Sequence, residues 1–243
     1  MLGYINDNTE TTNIYICSYD SQTSTTYTSV KSIDDLTINL DYVDLQLPSG
    51  KLWAKSNIGA KSEDDYGLYF QWGDIKGYNP NDNKSFSWDD YIFGTDTNIT
   101  KYNNTDNKIL LDLIDDGATK YLGNNWKIPS KEDFIELINN TNCFGVGIDD
   151  SEFQINGTVN KQFKGIKFYS KKNNQIYVYF PCSGNIGNNS FNFTNKSGFY
   201  WTSSLCENHK YCSYYLYFNS KICNVEYGSY RFDGFPLRAI LNK

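Results

Sequence analysis

The chain contains a single histidine, His209, and any Ser-His-Asp or Cys-His catalytic device would have to use it. His209 lies in a polar stretch between Cys206 and Cys212, which indicates a surface loop. Two thiols this close in sequence could bind a soft metal such as Cu(I) and support oxidative chemistry. A solvent-exposed histidine without a catalytic role is the simpler interpretation, so we expect that the protein is not an enzyme.

The six cysteines form no Cys-x-x-Cys pair, so the sequence does not predict a zinc site. We expect buried free thiols, as is usual for a protein made in a reducing cytoplasm. Only Cys206 and Cys212 are close enough in sequence to close a small loop by a disulfide, and that alternative stays open.

Acidic residues occur in short clusters, which could serve as glycosidase carboxylates or calcium ligands. We expect most of them to be solvated turn residues. Asp116 is the exception, because negative charge at the end of a predicted helix is unfavourable, so we expect it to have a specific partner. The clusters are Glu63-Asp64-Asp65, Asp89-Asp90, Asp115-Asp116 and Asp149-Asp150.

Three segments, 183–197, 206–211 and 226–233, combine aromatic residues with Asn, Gly and Arg. Aromatic faces can stack on sugars while amides and carboxylates bond to hydroxyls, and a similar mixture of residues occurs in adaptable binding loops. They could equally be the ordinary polar loops of a structural protein. The candidate binding residues are Asn188, Asn189, Phe191, Asn208, His209, Tyr211, Tyr227, Tyr230, Arg231 and Phe232.

The composition of the 243-residue chain excludes some classes of partner. Hydrophobic residues make up 39% and aromatic residues 17%, enough for a substantial core. The net charge is -6 without a basic stripe, so we expect no nucleic-acid partner. No apolar run approaches the ~20 residues that cross a bilayer, and no signal peptide follows Met1, so we expect no membrane insertion.

The elements that would position these residues indicate an α+β fold. Residues 1–40 are rich in Ser and Thr with short alternating stretches, which predicts a β-rich N-terminal arm with a boundary near Asp41, or else an extra edge strand of the main domain. Residues 41–75 predict a strand, a turn at 47–50 and a second strand. Helices are predicted over about 107–122 and from Ser130 onward, and the pattern beyond residue 150 is all β.

Several ordered motifs resemble a known family. The opening run at 42–74 contains Leu47-Pro48-Ser49-Gly50, Leu52-Trp53-Ala54 and Phe70-Gln71-Trp72-Gly73-Asp74, and it is followed by Asp116-Gly117-Ala118, Trp126-Lys127-Ile128-Pro129-Ser130, Phe180-Pro181-Cys182-Ser183-Gly184, Gly198-Phe199-Tyr200-Trp201-Thr202-Ser203-Ser204, Leu216-Tyr217-Phe218 and Pro236-Leu237-Arg238-Ala239-Ile240. Together they resemble the Fibrobacter succinogenes major paralogous domain, within the C-type-lectin-like group that also holds formylglycine-generating enzymes.

This resemblance covers roughly residues 42–241 and implies a C-type-lectin-like domain at 41–243 with two helices and antiparallel sheets. The group is mostly a binding scaffold. It often holds a structural calcium, and we expect no other cofactor. The oxidase alternative fits less well, because the spacing between Cys206 and Cys212 is one residue longer and the Arg-rich segment that follows the second Cys in those enzymes is replaced by Ser213 to Phe218.

The resemblance and the composition together indicate a virion protein of a crAss-like phage, with Bacteroides-like hosts. We expect a non-enzymatic head or tail fibre, decoration or appendage protein that assembles in the host cytoplasm. The arm would bind other virion proteins, and the lectin-like domain would bind a host-surface glycan or protein. A homo-oligomer is expected. A bacterial ligand-binding module and a formylglycine-generating-type oxidase are the alternatives.

Overall fold

A computed structural model describes residues 42–155, 162–207 and 209–241. The predicted arm at 1–40 and its boundary lie outside the described residues. The two strands that open the domain and the turn between them are confirmed. The amide of Gly50 donates to the carbonyl of Leu47 at 2.9 Å, and Gly50 has φ +72°, which favours glycine.

The described residues form an α+β fold in which antiparallel strands predominate over two helices, α1 (Gly117–Leu122) and α2 (Lys131–Asn140). Short 3-10 turns occur at Trp88–Asp90 and Leu113–Asp115. The strands are β1 (Tyr42–Val43), β2 (Leu52–Asn57), β3 (Tyr69–Phe70), β4 (Trp126–Lys127), β5 (Thr141–Gly147), β6 (Glu152–Gln154), β7 (Phe163–Ser170), β8 (Tyr177–Pro181), β9 (Asn185–Gly187), β10 (Ser190–Asn192), β11 (Ser197–Leu205), β12 (Cys212–Asn219), β13 (Cys223–Tyr230), β14 (Phe235–Pro236) and β15 (Arg238–Leu241).

The strands assemble into three main sheets, with the orders β1-β2-β15-β4, β6-β5-β7-β8 and β11-β12-β13. The hairpin β9-β10 and the pair β3-β14 complete them. Arg238 of the last strand lies opposite Asn57 of β2, so the two ends of the described domain close in one sheet.

The main core lies between these sheets and α2. Phe134 and Leu137 of α2 are fully buried, and the Phe134 ring centroid lies 5.3 Å from that of Trp53 on β2. Phe180 contacts both rings and also Tyr200 of β11. Burial of each such side chain contributes about 1.5–3 kcal/mol, so this cluster of large rings supplies much of the domain's stability.

The predicted helix over 107–122 is wrong in its first half. The amide of Leu111 donates to Ser203 O at 3.0 Å and that of Leu205 donates to Ile109 O at 2.8 Å, so the backbone here bonds to β11. Ile114 has a relative exposure of 75%, although its spacing placed it on an apolar helix face. The helical spacing was misleading, because the partners of this backbone lie some ninety residues along the chain.

Asp116 follows the 3-10 turn Leu113–Asp115 and begins α1 as its N-cap. Its carboxylate accepts hydrogen bonds from the amides of Thr119 at 2.9 Å and Ile128 at 2.8 Å. The expectation of a specific partner is confirmed, and the expected conflict with the helix dipole is absent because a carboxylate at the N-terminus is favourable. Burial nevertheless raises the pKa of Asp116 above its ordinary value.

The predicted start of the second helix is confirmed in its details. The Ser130 hydroxyl accepts from the amide of Asp133 at 3.2 Å, and the Asp133 carboxylate accepts from the amide of Ser130 at 2.9 Å. This reciprocal capping box satisfies two amides that the helix leaves without backbone partners. The capping box therefore sets the residue at which α2 begins.

Arg238 is fully buried beside this core and has backbone and amide oxygens as partners. Its guanidinium donates to Asn57 Oδ1 at 3.0 Å, to Ala54 O at 2.9 Å and to Lys55 O. It also lies 4.4 Å above the centroid of the Phe180 ring. Burial lowers the pKa of Arg238 to about 10. The side chain therefore fastens β15 to β2 through hydrogen bonds beyond those of the sheet.

Candidate binding surface

The three segments that the sequence singled out lie side by side. The amide of Arg231 donates to Tyr211 O at 3.1 Å, which joins 226–233 to 206–211. On its other side, Gly234 and Ile186 exchange two backbone hydrogen bonds of 2.8 Å, which join the same stretch to 183–197. Residues 231–234 are thus the link that gathers the segments into one surface.

The segment 183–197 contains the hairpin β9-β10 and is only partly irregular. Asn188 and Asn189 form its tip with φ +49° and +59°, a conformation that asparagine tolerates well. The Asn189 side-chain oxygen accepts from the amide of Phe86 at 2.5 Å, so this residue ties the hairpin to the 76–94 loop. Asn188 is exposed, and Phe191 has a relative exposure of 42%.

The segment 226–233 was predicted as a loop, and this prediction is wrong for residues 226–230. They belong to β13, where Tyr227 lies opposite Tyr215 and Tyr230 lies opposite Cys212. Continuous pairing with β12 explains the difference. Tyr227 and Tyr230 remain available at the surface, with relative exposures of 46% and 53%.

Arg231 and Phe232 do not present their side chains at the surface, since both are buried, with relative exposures of 0% and 7%. The Arg231 guanidinium donates to Lys210 O and Lys101 O at 2.9 Å and to Tyr102 O at 3.3 Å. Burial lowers the pKa of Arg231. This arginine therefore positions the loops around it, and the expectation that it would contact a ligand directly is corrected.

A cluster of rings surrounds Trp88, which is half-buried. Its ring centroid lies 5.1 Å from Phe232, 6.0 Å from Tyr211 and 6.1 Å from Tyr230. These four residues are the Trp88 cluster. Their edge-to-face arrangement is a favourable geometry for aromatic rings. Tyr91 is buried, and its ring centroid lies 5.5 Å from that of Trp88.

An open groove of about 530 Å³ lies next to the cluster and shares Tyr211 with it. We call it the Tyr211 groove. Side-chain amides, one histidine, two lysines and one carboxylate dominate its lining, so it offers many hydrogen-bond donors and acceptors. Among its residues are Asn103, Asn104, Asn107, Lys108, Glu207, His209 and Lys210. Asn208 lies outside the described residues.

The two thiols of the oxidase alternative are poorly suited to reaction. Burial raises the pKa of Cys206 to about 12, and the pKa of Cys212 is also raised by burial. Reactive cysteines have lowered pKa values instead, because the thiolate is the reacting form. The five cysteines in the described part of the chain are free thiols. His209 is exposed, as expected for a loop histidine.

No group of three or more His, Cys, Asp or Glu side chains that could hold a metal ion occurs within residues 42–155, 162–207 and 209–241. Calcium also binds carbonyl and amide oxygens, so the structural calcium stays a prediction. In the same ranges, no helix is long and apolar enough to cross a membrane.

Sequence reasoning missed the part of the surface that comes from the 101–109 segment. Asn104 and Asn107 are exposed in the Tyr211 groove, but their run of polar residues is typical of any loop. Trp88 is absent from the candidate binding residues, although a tryptophan in a polar loop is itself a signal for a binding face. The chain matches no protein-family model, no curated protein and no solved structure.

Proposed function

We propose that this protein is a non-enzymatic recognition module that binds a glycan through the Trp88 cluster and the Tyr211 groove. The observation that carries the proposal is the shared position of Tyr211, which belongs both to the ring cluster and to the groove lined by amides. A sugar ring has apolar faces that stack on aromatic rings and hydroxyls that bond to amides. The surface offers both kinds of contact within one site.

The way the loops are held supports binding with a small entropic cost. Arg231 fastens residues 101–102 and 210 through three hydrogen bonds, and Asn189 fastens the hairpin tip. Ordering a loop on binding subtracts from affinity, so loops that are fixed beforehand bind more tightly. The buried arginine thus contributes to recognition without touching the ligand.

The wider setting of the proposal rests on the sequence resemblance. We place the module on a C-type-lectin-like domain of a virion fibre or decoration protein, with the ligand on the host surface. A host protein is a second ligand class that the same surface fits, since Tyr, Trp and Asn also dominate protein-binding loops. A bacterial ligand-binding module would use the same surface in another location.

Glycan-array binding with the full chain tests the proposal. Tyr230→Ala removes an exposed ring of the Trp88 cluster, and we expect at least a 5-fold loss of affinity for the bound glycan, since an aromatic contact is worth about 1 kcal/mol. Tyr42→Ala is the matched control, because Tyr42 has nearly the same exposure, 52%, on β1. Absence of any glycan ligand, or equal losses in the two variants, would refute the proposal.

The attachment role of residues 1–40 has its own test. We expect the full chain to form a dimer or trimer by light scattering, and the chain without these residues to be a folded monomer. A monomer in both cases would contradict both the attachment role and the oligomer, and would leave the binding surface to be judged by the glycan experiment alone.

A further inference from the structure

A second aromatic surface lies on the sheet β11-β12-β13. Phe193, Phe199, Tyr217 and Tyr227 form a row in which the successive ring centroids are 5.9, 5.1 and 5.7 Å apart. The two ends of the row are open to solvent, since Phe193 has a relative exposure of 55% and Tyr227 of 46%. These four residues are the aromatic row.

Further rings pack around Phe199, which is the buried member of the aromatic row. Tyr215 stacks on Phe199 at 5.7 Å with an angle of 24° between the ring planes, and Phe235 lies 5.4 Å from Phe199. Phe235 in turn stacks on Trp201 at 4.1 Å. Because Phe199 and Phe235 are buried and closely packed, the middle of the row has little freedom to move. The two exposed end rings therefore flank a well-packed part of the sheet.

A groove of about 420 Å³ lies at one end of the row. The Tyr217 hydroxyl accepts from Asn219 Nδ2 at 2.9 Å and lies 3.5 Å from Ser197 Oγ, and both partners line the groove. Tyr217 thus joins the groove to the aromatic row. Through Tyr217, the polar groups of the groove adjoin the row, in which Phe199 is buried and the two end rings are exposed.

The groove is positively charged in a protein whose net charge is -6. Lys196 and Lys221 are exposed in its lining, and the lining residues within the described ranges include no Asp or Glu. Neither lysine belongs to the ion pairs found among the described residues. Two cations, with no Asp or Glu among the described residues that line the groove, complement an anionic ligand.

We propose that the aromatic row and this groove bind an acidic polysaccharide, one whose sugar rings carry carboxylates. The sugar rings stack on Phe193, Tyr217 and Tyr227, while Lys196 and Lys221 pair with carboxylates of the same chain. Single-stranded nucleic acid also stacks on aromatic rings, but it follows a continuous basic groove, and two lysines on an acidic protein do not provide one. The acidic polysaccharide fits both the rings and the small number of charges.

This site is separate from the Trp88 cluster. Tyr227 and Tyr230 are three residues apart in the regularly paired part of β13, so their side chains point to opposite faces of the sheet. Tyr227 contacts Tyr217 in the row, whereas Tyr230 contacts Trp88. The two proposals can therefore succeed or fail independently.

The test measures binding of the full chain to polygalacturonate and to its fully methyl-esterified form by calorimetry at low and high salt. The two polymers share their sugar rings and differ in charge. We expect binding to polygalacturonate with a Kd that rises with salt, and at least 10-fold weaker binding to the ester. Equal binding to both polymers, or no binding to polygalacturonate, would overturn the proposal.

Variants assign the binding to this surface. The double variant K196Q/K221Q should weaken polygalacturonate binding at least 10-fold, whereas K120Q/K172Q, which removes two exposed lysines outside the groove, should leave it unchanged. Tyr227→Ala should weaken binding and Tyr227→Phe should preserve it, because the ring makes the contact. A loss in K120Q/K172Q equal to that in K196Q/K221Q would contradict the site.

Two further measurements separate the alternatives. Tyr230→Ala should bind polygalacturonate normally even if it loses the glycan of the Trp88 cluster, so failure of one proposal leaves the other testable. Oligouridylate is the nucleic-acid competitor. If it binds more tightly than polygalacturonate and loses affinity in K196Q/K221Q, the surface recognises nucleic acid and the acidic polysaccharide is wrong.

Discussion

The two arginines of the chain, Arg238 in the sheet core and Arg231 among the loops, are the clearest comparison within the molecule. Both are fully buried, and both donate to carbonyl oxygens of the backbone. The partners of Arg238 all lie on β2, a strand already paired with its own. The partners of Arg231 lie at 101–102 and at 210, which no strand pairing joins.

This difference shows two uses of one side chain. A guanidinium has five donors in a fixed planar fork, so a single arginine can satisfy several carbonyls that water does not reach. In the sheet core, Arg238 adds hydrogen bonds to two strands that are already paired. Among the loops, where no strand pairing is present at these positions, the hydrogen bonds of Arg231 hold the candidate binding surface together.

Replacing Arg238 should have the largest effect. Arg238→Leu removes the donor to the part-buried oxygen of Lys55 and leaves the buried oxygens of Ala54 and Asn57 without this donor, and each buried group so affected costs about 1–3 kcal/mol. We expect a loss of about 5 kcal/mol in the free energy of unfolding, measured by urea denaturation. A loss below about 1 kcal/mol would show that β15 does not depend on this arginine.

Replacing Arg231 should have a smaller and more local effect. Arg231→Leu should cost about 2–3 kcal/mol and leave the chain folded, because the main core does not include it. Hydrogen exchange should accelerate at 101–109 and 205–211 while β5 to β8 stay protected. Glycan binding at the Trp88 cluster should weaken. If hydrogen exchange accelerated equally in the loops and in β5 to β8, the effect of Arg231 would not be local.

Replacing Asp233 should have the smallest effect on stability. Asp233 lies in the link 231–234 together with Arg231, so it tests the same part of the molecule. Burial raises its pKa from 3.8 to about 6. The folded state therefore holds this proton more tightly than the unfolded state does. The stabilisation that comes from the tighter binding of this proton is fully present below about pH 4 and is lost as the pH rises through about 6.

The variant Asp233→Asn removes this ionisation. We expect it to be more stable than the wild type by about 2 kcal/mol at pH 8, and the two to converge near pH 4, with other titrating groups cancelling in the difference. Urea denaturation at both pH values measures it. A stability difference that does not change with pH would show that Asp233 is not the titrating group.

Sequence reasoning succeeded where the determining contacts are local. The capping box of Ser130 and Asp133 spans four residues, and the turn at Gly50 spans four as well, so both were predictable. It failed before the 3-10 turn at Leu113–Asp115, where the backbone of Ile109 and Leu111 bonds to β11. Spacing alone could not distinguish a buried helix face from exposed residues such as Ile114.

The candidate surface was likewise predictable only as far as its determining contacts are local. The composition of the three segments identified the right parts of the chain, but an arginine in a polar loop gives no local sign that it points inward. Tyr227 and Tyr230 were grouped together because both belong to the segment 226–233, and the strand places them on opposite faces. What the sequence could not provide was the direction in which each side chain points.

Because both arginines are buried, chemical modification of their side chains can report local unfolding of the chain. Only two of its 22 basic residues are arginine, and the native fold covers both. A dicarbonyl reagent that modifies guanidinium groups should therefore react slowly with the native protein, at a rate set by local unfolding. After proteolysis, the amount of modified Arg231 would measure local unfolding of the loops around it. The amount of modified Arg238 would measure local unfolding of the sheet core.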